Sequence, residues 1–326
     1  MEMKYFSMWW EEQSDHIKAE VKSLVKSGRL ELLNAGWSMH DEACPTYDDM
    51  MNNMMQGHEF VLREFGVTPR VGWQIDPFGH SSANARLFAE MGFDAFFFAR
   101  TDYRDKQQRK QDKSLEFLWQ PMHDTLGKDA EILAHVLNDH YSAPPGFDFD
   151  FLGPAEDNFT LDGNDTAKFI KADELYNYII DMKGHYRSQK NLFLTMGDDF
   201  RFQNASMYFS QSDELIKYFN THFKDKHVQL VYSTPSMYVD ALSREKIEFP
   251  HQFGDLMPYA DNAESYWTGF FSSRPNDKLM IRDASHLLHS SNDLFALEHL
   301  KRASKVAETM RENVARDLLM DALGVT

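Results

Sequence analysis

The sequence predicts an α/β fold in which parallel strands alternate with helices and a helical segment follows. Three observations carry this reading. Short apolar runs at residues 71–75, 95–99, 192–196 and 228–232 are each followed by a polar loop and a stretch of helical periodicity. The run Ala95-Phe96-Phe97-Phe98-Ala99 is apolar at every position, as in a strand covered on both faces. From residue 276 to residue 325 there is no proline and glycine returns only at Gly324, while Leu287, Leu294, Leu297, Val306, Met310, Val314 and Leu318 mark one or two long helices. Composition changes near Phe249-Pro250, which divides the chain into a β/α domain at residues 1–250 and a small helical domain at residues 251–326, whose apolar face has no obvious partner within the chain.

Taken in order, residues 10–26 form an amphipathic helix with Ile17, Val21, Leu24 and Val25 on one face and Gly28 as its C-cap. The chain reads as one that begins inside a domain, with neither the basic start nor the apolar run of a signal peptide. Residues 29–35 are a strand, and the polar run His40-Asp41-Glu42 follows. A long helix covers residues 47–65, with Met50, Met51, Met54, Met55, Phe60 and Val61 as core. Residues 71–75 are a buried strand that ends on Asp76; Pro77 stops the ladder, Gly79 turns the backbone, and Ser81 or Ser82 caps the next helix. Residues 94–99 complete a βαβ unit, so Asp76 and Arg100 stand at the same ends of two parallel strands.

Residues 103–165 read as long loops around one or two strands, with a Phe/Asp-rich tract at residues 147–151. Sequons at Asn158, Asn164 and Asn204 matter only in a lumenal protein. A helix at residues 167–186, a strand at 192–196, a helix at 214–223 and a strand at 228–232 follow, and Pro235 opens another helix near its first turn.

The 326 residues carry a formal net charge of -17, which argues against nucleic acid, anionic membrane surfaces and phosphate-rich partners and suits a neutral ligand such as a sugar. The single cysteine, Cys44, excludes an intrachain disulfide and a cysteine-based zinc cluster. No apolar run approaches the ~20 residues of a membrane span. There is no His-Glu-x-x-His, no Gly-x-Ser-x-Gly elbow and no phosphate-cradling glycine loop.

Three strand ends thus present Asp76, Arg100 and the pair Asp198-Asp199. A charged group at the carboxyl end of a strand is where α/β enzymes keep their chemistry, although Asp76 in isolation reads equally as a helix cap. Two carboxylates facing one pocket are the minimum equipment for glycoside hydrolysis: one attacks, and the other protonates the leaving oxygen. Arg100 could fix the ionised form of Asp76 or bind a sugar hydroxyl. Phe78, Tyr266 and Trp267 could pack on the apolar face of a sugar ring, or belong to the core.

The run Gly72-Trp73-Gln74-Ile75-Asp76-Pro77-Phe78-Gly79-His80-Ser81 resembles the nucleophile motif of glycoside hydrolase family 38, the α-mannosidases, the lysosomal type above all. Supporting runs are Asn34-Ala35-Gly36-Trp37, Met91-Gly92-Phe93-Asp94, Thr195-Met196-Gly197-Asp198-Asp199-Phe200 and Tyr266-Trp267-Thr268-Gly269-Phe270-Phe271-Ser272-Ser273-Arg274-Pro275. The resemblance implies a retaining α-mannosidase on a distorted β/α barrel that is incomplete here, its first strand missing, followed by an incomplete helix-bundle domain. It implies Asp76 as nucleophile and zinc ligand, Asp199 as general acid/base, and Phe78, Arg100, Tyr266 and Trp267 as substrate-binding residues. One zinc ion is implied; Glu264 falls where the family has a histidine ligand, and the family's His-x-Asp ligand pair has no counterpart. The implied partner is a mannose-containing oligosaccharide or glycoprotein glycan in a lysosomal, secretory or vacuolar lumen, with a homo-oligomer possible. The alternative is a catalytically impaired paralogue that keeps the fold and binds such glycans.

Overall fold

The protein is described by a computed structural model that covers residues 2–149 and 165–322. Its N-terminal stretch forms two helices, α1 (Met3–Glu11) and α2 (Asp15–Lys26), rather than one. The chain breaks at Ser14, whose hydroxyl accepts the Ile17 N–H and starts a new helix. Gly28, at φ 71, follows α2 in the left-handed turn expected there. Residues 29–35 are not a strand. Asn34 and Ala35 adopt φ 56 and 54, which ends any ladder, although Asn34 still reaches the next strand through its N–H to Val71 O (2.8 Å) and its side chain from Trp73 N (3.0 Å).

Helix α3 (Tyr47–Phe65) buries Met50, Met54, Phe60 and Val61, while Met51 and Met55 face solvent. Gly57 on α3 lies so close to the Ala35 carbonyl that a Cβ would stand 1.9 Å from that oxygen. Strand β1 (Val71–Gln74), helix α4 (Ser82–Glu90) and strand β2 (Ala95–Phe98) form the expected parallel βαβ unit. Ser81 is the N-cap of α4, accepting the Asn84 N–H. Where loops were expected, residues 103–112 form helix α5 (Tyr103–Asp112), capped by Asp102. Its polar composition carries almost no apolar stripe for periodicity to detect.

Strands β3 (Glu116–Trp119) and β4 (Ile132–Val136) follow, then α6 (Asp165–Lys183), α7 (Ala205–His222) and α8 (Pro235–Ser243), the last with Pro235 in its first turn. Strand β5 (His251–Gln252) completes a five-stranded sheet of order β1-β2-β4-β3-β5, in which three pairings are parallel and β3–β4 is antiparallel. Strands β6 (Ala260–Asn262) and β7 (Ser265–Tyr266) form a separate hairpin. Among the described residues the sheet is open, not a closed barrel. Residues 192–196 and 228–232, expected as strands, join no ladder among the described residues. Thr195 Oγ1 bonds Ser142 O, and the backbone of Leu230 bonds the side chain of Asn220 on both sides.

The sheet is covered on both faces. Along β2, Phe96 and Phe98 join Phe88, Phe117, Trp119 and Val136 on one side, and Ala95 and Phe97 join Val71, Tyr238 and Leu242 on the other, as the two-residue period of a strand requires. A further core holds Phe147 and Phe149 between α6 and α7. Asn158 and Asn164 lie outside the described residues; Asn204 caps α7.

The sheet-bearing unit runs through Thr268, and a second unit covers Gly269–Thr326. Among the described residues the second carries one long α-helix, α9 (Pro275–Ala322), the helical segment expected there, with Leu279, Leu287, Leu294 and Leu300 exposed. No described helix is long and apolar enough to cross a membrane.

Candidate active site

The C-terminal ends of β1, β2 and β4 point the same way, because these three strands pair in parallel. Two residues beyond β1 is Asp76, two beyond β2 is Arg100, and a short turn beyond β4 are His140 and Tyr141. Arg100 is 8% exposed and gives Asp76 two hydrogen bonds, Nη2 at 2.5 Å and Nε at 3.0 Å, both to Oδ1. No other described donor reaches Asp76, and its side chain stays 55% exposed, so Oδ2 is open to an incoming group. Burial opposes the Arg100 charge, but the bonds to Asp76 and to the Tyr259 hydroxyl (3.5 Å) outweigh it and hold the guanidinium above its ordinary value.

The guanidinium is boxed by aromatic rings: Trp267 at 4.9 Å, Phe78 at 5.3 Å, Tyr259 at 5.6 Å and Tyr141 at 5.8 Å. Phe78 and Trp267 meet edge to face at 4.9 Å. The hairpin delivers Trp267 through its N–H to Tyr259 O (3.1 Å). Tyr266, one residue earlier, is not brought to Arg100; its hydroxyl meets Arg104 Nη2 at 3.5 Å on α5.

Tyr141 links this cluster to the second carboxylate, donating its hydroxyl to Asp199 Oδ2 at 3.4 Å. Burial, reinforced by the negative charges of Asp76 and Asp199, pushes the phenol up to about 12, so it remains a donor at neutral pH. His140 is lowered to about 4, by burial first and then by the positive charges of Arg100 and Lys106, and is neutral beside them. The Asp199 loop is fastened to the same stretch by Ala143 N–H to Gly197 O (2.8 Å), and Arg201 Nη1 donates to Asp199 O (3.0 Å). Gly197 adopts φ 133, a backbone that side chains resist. Asp198 accepts the Asp199 N–H at 2.7 Å, and its negative charge acts on His140 against the lowering. Of the two adjacent carboxylates, Asp199 is the one bonded to Tyr141.

Sequence reasoning missed Tyr141, Tyr259 and His140. The first and last lie just past β4, and recognising that strand as parallel to β2 would have placed them at the active rim. Tyr259 precedes a two-stranded hairpin too short to announce itself.

Glu264 is exposed in the turn between β6 and β7, at φ 62. Among the described residues no three of His, Cys, Asp or Glu cluster so as to hold a metal ion. The described donors therefore do not fit a complete zinc site.

The family described as "Glycosyl hydrolases family 38 N-terminal domain" matches residues 1–262. A probable alpha-mannosidase of Arabidopsis thaliana is 43% identical over 292 residues, covering 87% of this chain and 27% of that protein. The lysosomal alpha-mannosidase of Dictyostelium discoideum is 36% identical over 326 residues, 100% of this chain and 32% of the relative. The human lysosomal alpha-mannosidase is 37% identical over 303 residues, with shares of 91% and 30%. The chain thus spans under a third of the length of these curated relatives. An alpha-mannosidase structure from Enterococcus faecalis superposes with a TM-score of 0.51 at 16% identity, over 72% of this chain and 23% of that one, a likeness of fold. With the family match reaching from residue 1 to residue 262, across the sheet and the strand ends that carry Asp76 and Arg100, this chain belongs to glycoside hydrolase family 38, in its N-terminal domain.

Proposed function

We propose that this chain carries the catalytic carboxylates of a retaining α-mannosidase that removes terminal mannose from glycans, with Asp76 as nucleophile and Asp199 as general acid/base. The observation that carries the reading is the position of Tyr141: its hydroxyl bonds Asp199 while its ring faces the guanidinium that clasps Asp76. Tyr141 is thus a neighbour shared by the Asp199 carboxylate and the Asp76–Arg100 pair, which supports the reading that the two carboxylates serve one sugar, as a double displacement requires.

In this mechanism Asp76 Oδ2 attacks the anomeric carbon as the glycosidic bond breaks, and the Asp199 carboxyl gives its proton to the departing oxygen. The glycosyl ester on Asp76 is then opened by water, whose proton Asp199 takes back. Arg100 orients Asp76 through Oδ1. Phe78 and Trp267 offer an apolar wall for the sugar ring. Asp76 would be the residue here to hold the zinc ion that the resemblance implies, and such an ion would supply binding of sugar hydroxyls. In the same reading the open sheet is part of a distorted β/α barrel, and the lysosomal relatives favour an acidic lumen.

The test is turnover of an aryl α-mannoside by the chain and its Asp76→Asn variant. Loss of all turnover in the variant is expected. Unchanged turnover overturns the assignment, and an inactive parent chain favours the impaired, glycan-binding reading.

A further inference from the structure

Beneath the Asp76 loop lies a polar group that the proposed chemistry does not use. Glu42 has a fully buried side chain, and so has His80. Glu42 Oε2 accepts the backbone N–H of Ser81 at 2.8 Å. Its Oε1 accepts from His80 Nδ1 at 2.9 Å and from Gln74 Nε2 at 3.4 Å. Gln74 also donates to His40 O at 3.1 Å. The Ser81 N–H and the Gln74 amide are both donors, one to each oxygen of Glu42.

The other side of the same loop is held as well. His80 exchanges both backbone bonds with Leu256, at 3.1 and 2.8 Å. Ser82 gives its N–H and hydroxyl to Asp255 Oδ1, each at 2.7 Å. Gly79, at φ 97, lies where a Cβ would stand 2.9 Å from Met257 Cγ. The loop is thus fixed at Gln74 before Asp76 and at His80 and Ser81 after it, and among the described residues Glu42 is the side chain that grips both ends.

We propose that Glu42 is a positioning residue for Asp76, a buried carboxylate that clamps the two ends of the 74–81 loop and so sets where the Asp76 carboxylate stands. This rests on the reading of Asp76 as nucleophile. An isolated buried carboxylate would be costly, but its three partners, the Ser81 N–H, the Gln74 amide and the His80 ring, offset that cost here. The arrangement acts on geometry: it touches neither the sugar nor the reacting atoms.

Glu42→Gln tests it with little change in volume, since an amide cannot accept from Ser81, His80 and Gln74 together without setting donor against donor. Glu42→Ala is the second variant. Hydrogen exchange on the full chain is compared with the rate of covalent labelling of Asp76 by an activated fluoro-mannosyl fluoride, whose leaving group needs no acid. Exchange across residues 75–82 is expected to quicken about tenfold, which is about 1.4 kcal/mol of local opening, while β2 and β4 stay protected. Labelling at saturation is expected to slow about tenfold with the half-saturating concentration unchanged. Unchanged exchange in the loop, or equal acceleration throughout the sheet, overturns the proposal. Faster loop exchange with labelling at the parent rate also overturns it and leaves Asp76 as nucleophile. If the parent chain is not labelled at Asp76, the mechanistic reading fails, and the exchange comparison alone decides whether Glu42 holds the loop.

Discussion

Arg100 directs both Nε and Nη2 to a single oxygen of Asp76, Oδ1, and leaves the other oxygen uncovered. Two bonds on one atom restrain the carboxylate while keeping Oδ2 available. Charge-assisted bonds of this kind fix the orientation of a carboxylate as well as its place.

Arg100→Lys is expected to lower kcat about 100-fold, since an ammonium cannot make the same pair of bonds or spread across the aromatic box, and displacement of a reacting group by about 1 Å costs that much. Steady-state kinetics on an aryl mannoside would show it. A kcat within threefold of the parent would mean that Arg100 does not orient the nucleophile.

Tyr141→Phe removes only the hydroxyl that meets Asp199. A loss of about tenfold in kcat is expected, equivalent to about 1.4 kcal/mol. Because the phenol titrates only near 12, its protonation contributes no limb to the parent's pH profile below about pH 10. An alkaline limb below that pH which disappears in the Phe variant would contradict the assignment of Tyr141 as a constant donor.

Lys106 on α5 donates to Ala99 O at 3.1 Å and to Asp139 O, tying the peptide before Arg100 to the turn before Tyr141. Burial, then Lys110 and Arg100, lower it to about 7 against the pull of Asp139. Between pH 7 and about 10.5 the unfolded chain would keep a proton that the folded chain has released, so the parent gains stability as pH rises through that window. The neutral amine still has donors for both carbonyls. The Tm of the parent relative to Lys106→Met is expected to rise from pH 6.5 to pH 9.5; a constant difference would show that Lys106 titrates normally.

Gly57→Ala forces a methyl to within 1.9 Å of the Ala35 oxygen. Since that atom is backbone, α3 must move, and a loss of about 3 kcal/mol is expected. Urea denaturation would measure it, and a loss below about 0.5 kcal/mol would mean that α3 shifts freely over the 34–37 turn.

Much of this was legible in the residues. Asp76 and Arg100 were placed together because the βαβ unit between them has strong signals: an unbroken apolar strand, a proline stop and a serine cap. Strand character at residues 29–35, 192–196 and 228–232 was misleading, because an apolar extended run specifies what it buries and not whether a neighbour supplies a ladder. Asn34 takes a left-handed turn, and Asn220 occupies the backbone groups of Leu230. Helix α5 escaped because it is held by its caps and ion pairs, such as Arg109 Nε to Asp105 at 2.7 Å, and periodicity is blind to those. Trp267 and Tyr266 looked equivalent in sequence, yet adjacent residues on a hairpin point apart, and only Trp267 reaches Arg100.

The exchange of backbone bonds between His80 and Leu256 makes the stretch from Asp255 to Trp267 part of the Asp76 loop's own support. Shortened versions prepared for expression or crystallisation therefore have a lower limit that the change of composition at Pro250 conceals. One ending there would retain four of the five sheet strands, losing β5, and would strip Arg100 of Tyr259 and Trp267. A cut after Thr268 keeps the aromatic box whole, and the first such boundary worth cloning is that one.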